Sequence, residues 1–153
     1  MSTFVNKSLH KSEELVTLQG TDVLHLLRTM NLFSWFPKPS PLQDESRVYD
    51  LKERLDWGEP ALSIVDIRHR ADFNASHITG AMSIPVHQLI ETAHRCFELD
   101  RDLYLYGITD DESSAAAEQL RAAGYTSVSV LRGGVSAWKA AGFPIEGIPQ
   151  VAV

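Results

Sequence analysis

Hydrophobic and polar positions follow two regimes along this chain, and the change falls near residue 41. Residues 1–20 are rich in Ser, Thr, Lys and Glu and poor in aromatics, so alone they lack the apolar surface that offsets the cost of ordering. Val23, Leu26, Leu27 and Met30 then recur at the spacing of one helix face, with Thr21 or Asp22 placed as N-cap. Leu32, Phe33, Trp35 and Phe36 crowd large apolar side chains together directly after it. Pro37, Pro39 and Pro41 force an extended linker, since proline fixes φ and carries no N–H. The pattern predicts an N-terminal arm over residues 1–41, with a short amphipathic helix and a Pro-rich linker, and a domain over 42–153.

From Ser46 onward the pattern alternates between helical and strand periods. Val48, Leu51 and Leu55 form a helical stripe that stops at Trp57-Gly58. Ala61 to Ile67 is a short apolar run suited to a buried strand, and a helix is predicted over about 86–95 after Ile84-Pro85. Leu103 to Tyr106 reads as the next strand, followed by a polar loop and an alanine-rich helix over about 112–123 that Gly124 ends. Ser127 to Leu131 is a third strand, and Gly133-Gly134 turns the chain into a last helix around Trp138. Short apolar strands with helical connections predict a single α/β domain with a central parallel sheet and helices on both faces.

Composition adds exclusions. An apolar fraction of 44% and a charged fraction of 22% over 153 residues are those of a globular protein that can bury one core. No run approaches the roughly eighteen apolar residues of a membrane span, so no transmembrane segment is expected. Lys7 and Lys11 lack a following apolar stretch, so no secretory signal is read and the expected location is cytoplasmic. A net charge of −6 argues against a nucleic-acid partner. The single cysteine, Cys96, excludes an internal disulfide and a cysteine-based zinc site. His10, His25, His69, His87 and His94 show no ligand spacing, and neither a metal nor a cofactor is expected.

In a parallel sheet, ligands sit at the carboxyl ends of strands, where a loop enters a helix N-terminus. The loop from Gly107 to Glu112 occupies such a position. Here the sequence resembles the rhodanese family over roughly residues 46–147. Asp66-Ile67-Arg68, Phe73, His77-Ile78, Gly80-Ala81 and Ile84-Pro85 are similar to its first signature. Leu131-Arg132-Gly133-Gly134, Trp138 and Gly142-Phe143-Pro144-Ile145 are similar to its closing one. The stretch from Tyr49 to Ala61, with Leu55-Asp56-Trp57-Gly58, further resembles small cyanobacterial rhodanese-like proteins.

The resemblance implies a nucleophilic cysteine at the end of the strand Leu103–Tyr106, where its thiolate would accept a sulfane sulfur as a persulfide. This chain has Gly107 there. The rest of the loop, Ile108, Thr109, Asp110, Asp111, Glu112 and Ser113, departs from the family too, and an active loop often carries an arginine where Glu112 stands. The chain is therefore expected not to be a working sulfurtransferase. Asp110, Asp111 and Glu112 read either as helix-capping residues or as a docking surface for a basic partner. Asp66, Arg68 and His77 are expected to serve structure, Trp138 to anchor the core, and Cys96 to be a small buried or half-buried residue.

Inactive rhodanese domains serve as interaction modules, some tethering photosynthetic electron-transfer proteins at the thylakoid. The resemblance implies a scaffold or linker role, extending to an accessory role at a photosynthetic assembly and a location peripheral to a thylakoid-associated complex. The partner-binding residues are expected in the arm: Leu26, Leu27, Met30, Leu32, Phe33, Trp35 and Phe36. They either fold back on their own domain or dock on a protein partner. Two alternatives stay open, sulfur chemistry on Cys96 and a small-ligand sensor at a pocket that Gly107 would open.

Overall fold

The computed structural model describes residues 42–58 and 61–148. The predicted arm lies outside the described residues. Five parallel strands form the central sheet in the order β1-β6-β5-β2-β4: β1 Glu45–Ser46, β2 Leu62–Asp66, β4 Met82–Ser83, β5 Asp102–Tyr106 and β6 Val128–Leu131. Strands β3 His77–Ile78 and β7 Ile145–Glu146 pair antiparallel in a small second sheet. The α-helices are α1 Val48–Asp56, α2 Arg70–Ala75, α3 Leu89–Cys96, α4 Asp110–Ala122 and α5 Gly134–Ala140.

Strand β5 shows why the domain has two apolar layers. Successive side chains leave a strand on opposite faces. Leu103 and Leu105 join one cluster with Leu89 and Ala93 of α3 and Ala116, Ala117 and Leu120 of α4. Tyr104 and Tyr106 join the other, with Val48 and Leu51 of α1 and Trp138 of α5. The alanines of α4 let that helix sit close to the sheet. Trp138 is buried, and its indole N–H donates to Pro144 O at 2.9 Å, so its polar end is satisfied as well.

The α/β reading holds, with helices on both faces of a parallel sheet, and the differences have local causes. The helix predicted over 86–95 opens with a 3-10 turn, Val86–Gln88, before α3 begins at Leu89. Helix α4 begins two residues earlier than its alanine-rich stretch, because Thr109 caps it and accepts the Glu112 N–H at 3.2 Å. Helix α2 was not expected: none of its residues is buried, so it leaves no apolar stripe to read. The two-residue strands β1, β3, β4 and β7 are too short to show a period. Gly124, at φ +102°, follows α4 in the left-handed region expected of a residue that ends a helix.

Candidate functional site

The carboxyl ends of β2, β5 and β6 meet around Gly107. Asp66, the last residue of β2, is fully buried. A buried carboxylate must be paired, and Arg68 supplies the partner: Nε lies 3.0 and 3.1 Å from the two carboxylate oxygens and Nη2 2.6 Å from Oδ2. The backbone N–H of Arg68 donates to Oδ1 at 3.0 Å, and Nη2 also reaches Ser76 O at 2.7 Å. The Tyr106 hydroxyl lies under the influence of the Asp66 charge and accepts the Ile78 N–H at 3.2 Å. These groups lock β2, β5 and β3 together, the structural role expected of Asp66 and Arg68.

The loop after β5 is closed by its own side chains. The buried Gly107 N–H donates to Ser113 Oγ at 2.7 Å, and that hydroxyl donates to Thr109 O at 2.8 Å. The Ile108 N–H donates to Glu112 Oε2 at 3.0 Å, and the Gly133 N–H to Asp110 Oδ1 at 2.8 Å. Arg132 Nε stands 3.9 Å from the other Asp110 oxygen. Asp110 and Glu112 therefore accept loop amides at the carboxyl end of the sheet, whereas the side chain that caps α4 is Thr109. Ile108, 67% exposed, forms the tip.

Space over Gly107 is scarce. A Cβ there would lie 2.9 Å from Glu112 Oε2 and 3.2 Å from the Ile67 Cγ1 and Cδ1 atoms. The pocket expected where a side chain is missing is thus filled by Glu112 and Ile67. Gly134 closes the loop from beneath, since a Cβ on it would lie 3.3 Å from Gly107 O.

Cys96 is exposed, which corrects the expectation of a buried or half-buried residue. Helix α3 ends there, and the following Phe97, extended, turns back onto the core cluster in its place. His77 is half-buried, stacked on Phe73 with ring centroids 3.7 Å apart, and its Nδ1 lies 2.7 Å from Phe73 O. His87 and His94 are both exposed, and among the described residues no three His, Cys, Asp or Glu side chains converge on one point. Leu26, Leu27, Met30, Leu32, Phe33, Trp35 and Phe36 lie outside the described residues. The contacts of Glu112 and Asp110 were not foreseen in detail. The Thr-x-x-Glu spacing of Thr109 and Glu112 is the capping-box signature that could have pointed to the first of them.

A parallel sheet with helices on both faces, and this loop entering a helix at the end of its central strand, define a rhodanese-like α/β domain. Residues 47–141 match the family model of the rhodanese-like domain, and the chain belongs to that family. The crystal structure of the Alr3790 protein from Anabaena sp. is 48% identical, with a TM-score of 0.66, over 67% of this chain and 80% of that one. The protein slr1261 of Synechocystis sp. is 36% identical over 86 residues, 56% of this chain, and the match spans 48% of that protein's length. A protein of Allochromatium vinosum named sulfurtransferase is 37% identical over 95 residues, 62% of this chain and 87% of that one. The family thus brings cyanobacterial rhodanese-like proteins and sulfurtransferases into the same comparison. Among the described residues no helix is long and apolar enough to cross a membrane.

Burial pushes the Tyr106 phenol well above the usual tyrosine range, and the Asp66 charge acts in the same direction. The folded state then favours the neutral phenol, whereas in the unfolded chain it ionises near about pH 10. Stability contributed by this group is full below that pH and falls as pH rises beyond it. Tyr106→Phe should cost about 1 kcal/mol at neutral pH, because the Ile78 N–H loses its acceptor. The same variant should lose stability less steeply than the parent above about pH 10. Urea melts across that range check both effects.

Proposed function

We propose that this rhodanese-like domain does not transfer sulfur and works as a protein-interaction or scaffold module. The observation that carries this reading is Gly107 at the end of β5, with Glu112 Oε2 only 2.9 Å from where its Cβ would stand. Persulfide chemistry needs a thiolate at the strand end, and removing a nucleophile costs on the order of a million-fold in rate. The Glu112 carboxylate, seated on the Ile108 amide, also repels an anionic donor by roughly 1 kcal/mol. The neighbouring Asp110 and Asp111 add to that repulsion.

The positive side of the proposal is the arm. Burying four of its large apolar side chains gives roughly 6–12 kcal/mol of gross driving force at about 1.5–3 kcal/mol each. Ordering the backbone of some fifteen residues costs more, roughly 15–30 kcal/mol at about 1–2 kcal/mol each, so its helix needs a surface to pack on. We assign that surface to a protein partner, docked through Leu26, Leu27, Met30, Leu32, Phe33, Trp35 and Phe36 in the helix-in-groove manner. The likeness to cyanobacterial rhodanese-like proteins extends the reading to an accessory role at a photosynthetic assembly. The corresponding location is cytoplasmic, at the periphery of a thylakoid-associated complex. A second reading, a sulfur carrier, is favoured by the exposure of Cys96 and by the relative named sulfurtransferase.

A thiosulfate:cyanide assay separates the two. The parent chain should form thiocyanate at background rate, and Cys96→Ser should not change it. Thiocyanate above background that disappears in Cys96→Ser would establish the second reading instead. Gly107→Cys alone should restore little activity, because its side chain meets Glu112 and the charge remains. Adding Asp111→Asn and Glu112→Arg should raise turnover by roughly tenfold or more over the single variant, since removing repulsion and adding attraction is worth about 1–2 kcal/mol. Full family-level turnover from Gly107→Cys alone would refute this account of the loop.

Deleting residues 1–41 should leave a cooperatively melting domain, since β1 starts at Glu45. The truncated chain should lose the native partner that the full chain retains. Failure to fold would assign the arm to the core. Unchanged affinity would move docking to the rhodanese face, at Asp110–Glu112.

A further inference from the structure

The segment after α5 runs back across the domain as a strap. Pro144 O accepts the Trp138 indole N–H at 2.9 Å and the Thr79 N–H at 3.4 Å. Ile145–Glu146 pairs with His77–Ile78, and the Ile148 N–H donates to Asn74 O at 2.8 Å. Gly147 runs so close that a Cβ on it would lie 2.3 Å from Ala75 O. Residues 144–148 are all exposed, so main-chain bonds rather than buried side chains hold the strap down.

One side-chain pair spans it. His77 and Glu146 are direct cross-strand partners, and His77 Nε2 lies 3.5 Å from Glu146 Oε2. The other ring nitrogen, Nδ1, is 2.7 Å from Phe73 O. A carbonyl oxygen only accepts, so Nδ1 carries a proton in any state that keeps this bond. In the neutral ring, Nε2 then presents a lone pair to a carboxylate. In the imidazolium both nitrogens donate, one to the carbonyl and one to the carboxylate.

We propose that His77 and Glu146 form a proton-operated latch on the C-terminal strap, tight when the imidazole is charged and slack when it is neutral. Charges on the surrounding elements do not supply this contact. Helix α2 brings Arg70 and Asp72, and helix α5 brings the exposed Lys139. The end of β2 brings Asp66 and Arg68, which are paired with each other, with Arg68 also bonded to Ser76 O. Glu146 is the one carboxylate within ion-pair distance of the ring among the described residues. Imidazole is the side chain that changes charge between about pH 5 and 8. A pair this exposed shifts an opening equilibrium by about two- to fivefold.

Amide hydrogen exchange on the full chain tests the latch. The Thr79 and Ile148 amides report on the strap, and the Leu103 amide, bonded to Ser127 O, reports on global opening. Rates would be corrected for intrinsic exchange and compared at about pH 5.5 and about pH 8, across the charge change of imidazole. Relative to Leu103, the strap amides should be about two- to fivefold better protected at the lower pH. In Glu146→Gln that difference should vanish. The proposal is overturned if the parent shows no pH difference, or if Glu146→Gln shows the same difference as the parent.

Discussion

The Asp66 carboxylate, fully buried at the end of β2, is the constraint around which the carboxyl end of the sheet is arranged. A charge in that position must be neutralised and fully hydrogen-bonded, and removing one partner of such a pair costs about 3–5 kcal/mol. Arg68 meets the demand with a bidentate contact and its own backbone N–H. The geometry this imposes carries Arg68 to Ser76 O, which fixes the start of β3. Tyr106 then ties β5 to both, its backbone oxygen accepting the Ile67 N–H and its hydroxyl the Ile78 N–H. The position of Gly107, the residue after Tyr106, follows from that network.

What the chain does at Gly107 is a choice between two uses of the same amides. Free N–H groups at a strand end that enters a helix favour an anion. Here the chain supplies its own acceptors: Ser113 Oγ for Gly107, Glu112 for Ile108, Thr109 Oγ1 for Glu112 and Asp110 for Gly133. Carboxylates in the first turn of a helix stabilise it by about 0.3–1 kcal/mol each. The same groups make the loop unfavourable for an external anion.

How much of this was legible in the sequence depends on how far each interaction reaches. Leu103, Tyr104, Leu105 and Tyr106 gave a strand because every second side chain enters a different apolar layer. The stripe of Val48, Leu51 and Leu55 gave α1 for the same kind of reason. Helix α2 and the pairing of β3 with β7 were illegible: the first buries nothing, and the second joins segments far apart in the chain through two residue pairs. The glycine at the end of β5 could be read from order alone. That Glu112 and Ile67 fill the space above it could not, because that depends on the direction of a side chain across a turn and on contact with the residue that follows β2. Cys96 was misjudged because helix α3 stops at it, and Phe97 takes the place on the core.

The stability of this domain does not rest on the chemistry that the fold elsewhere supports. Its buried charge is paired, and the amides at the strand end are bonded within the loop. A nucleophile and an open anion cradle would both have to displace contacts that now hold α4 and α5 to the sheet. Gly134 cannot gain a Cβ without pressing on Gly107 O and Tyr106, and Gly107 cannot gain one without pressing on Glu112 and Ile67. The two glycines and the carboxylate are therefore one packed unit rather than a gap left by a lost side chain. A loop packed in this way holds the start of α4 and the turn into α5 against the end of β5, through the Gly107 N–H on Ser113 and the Gly133 N–H on Asp110.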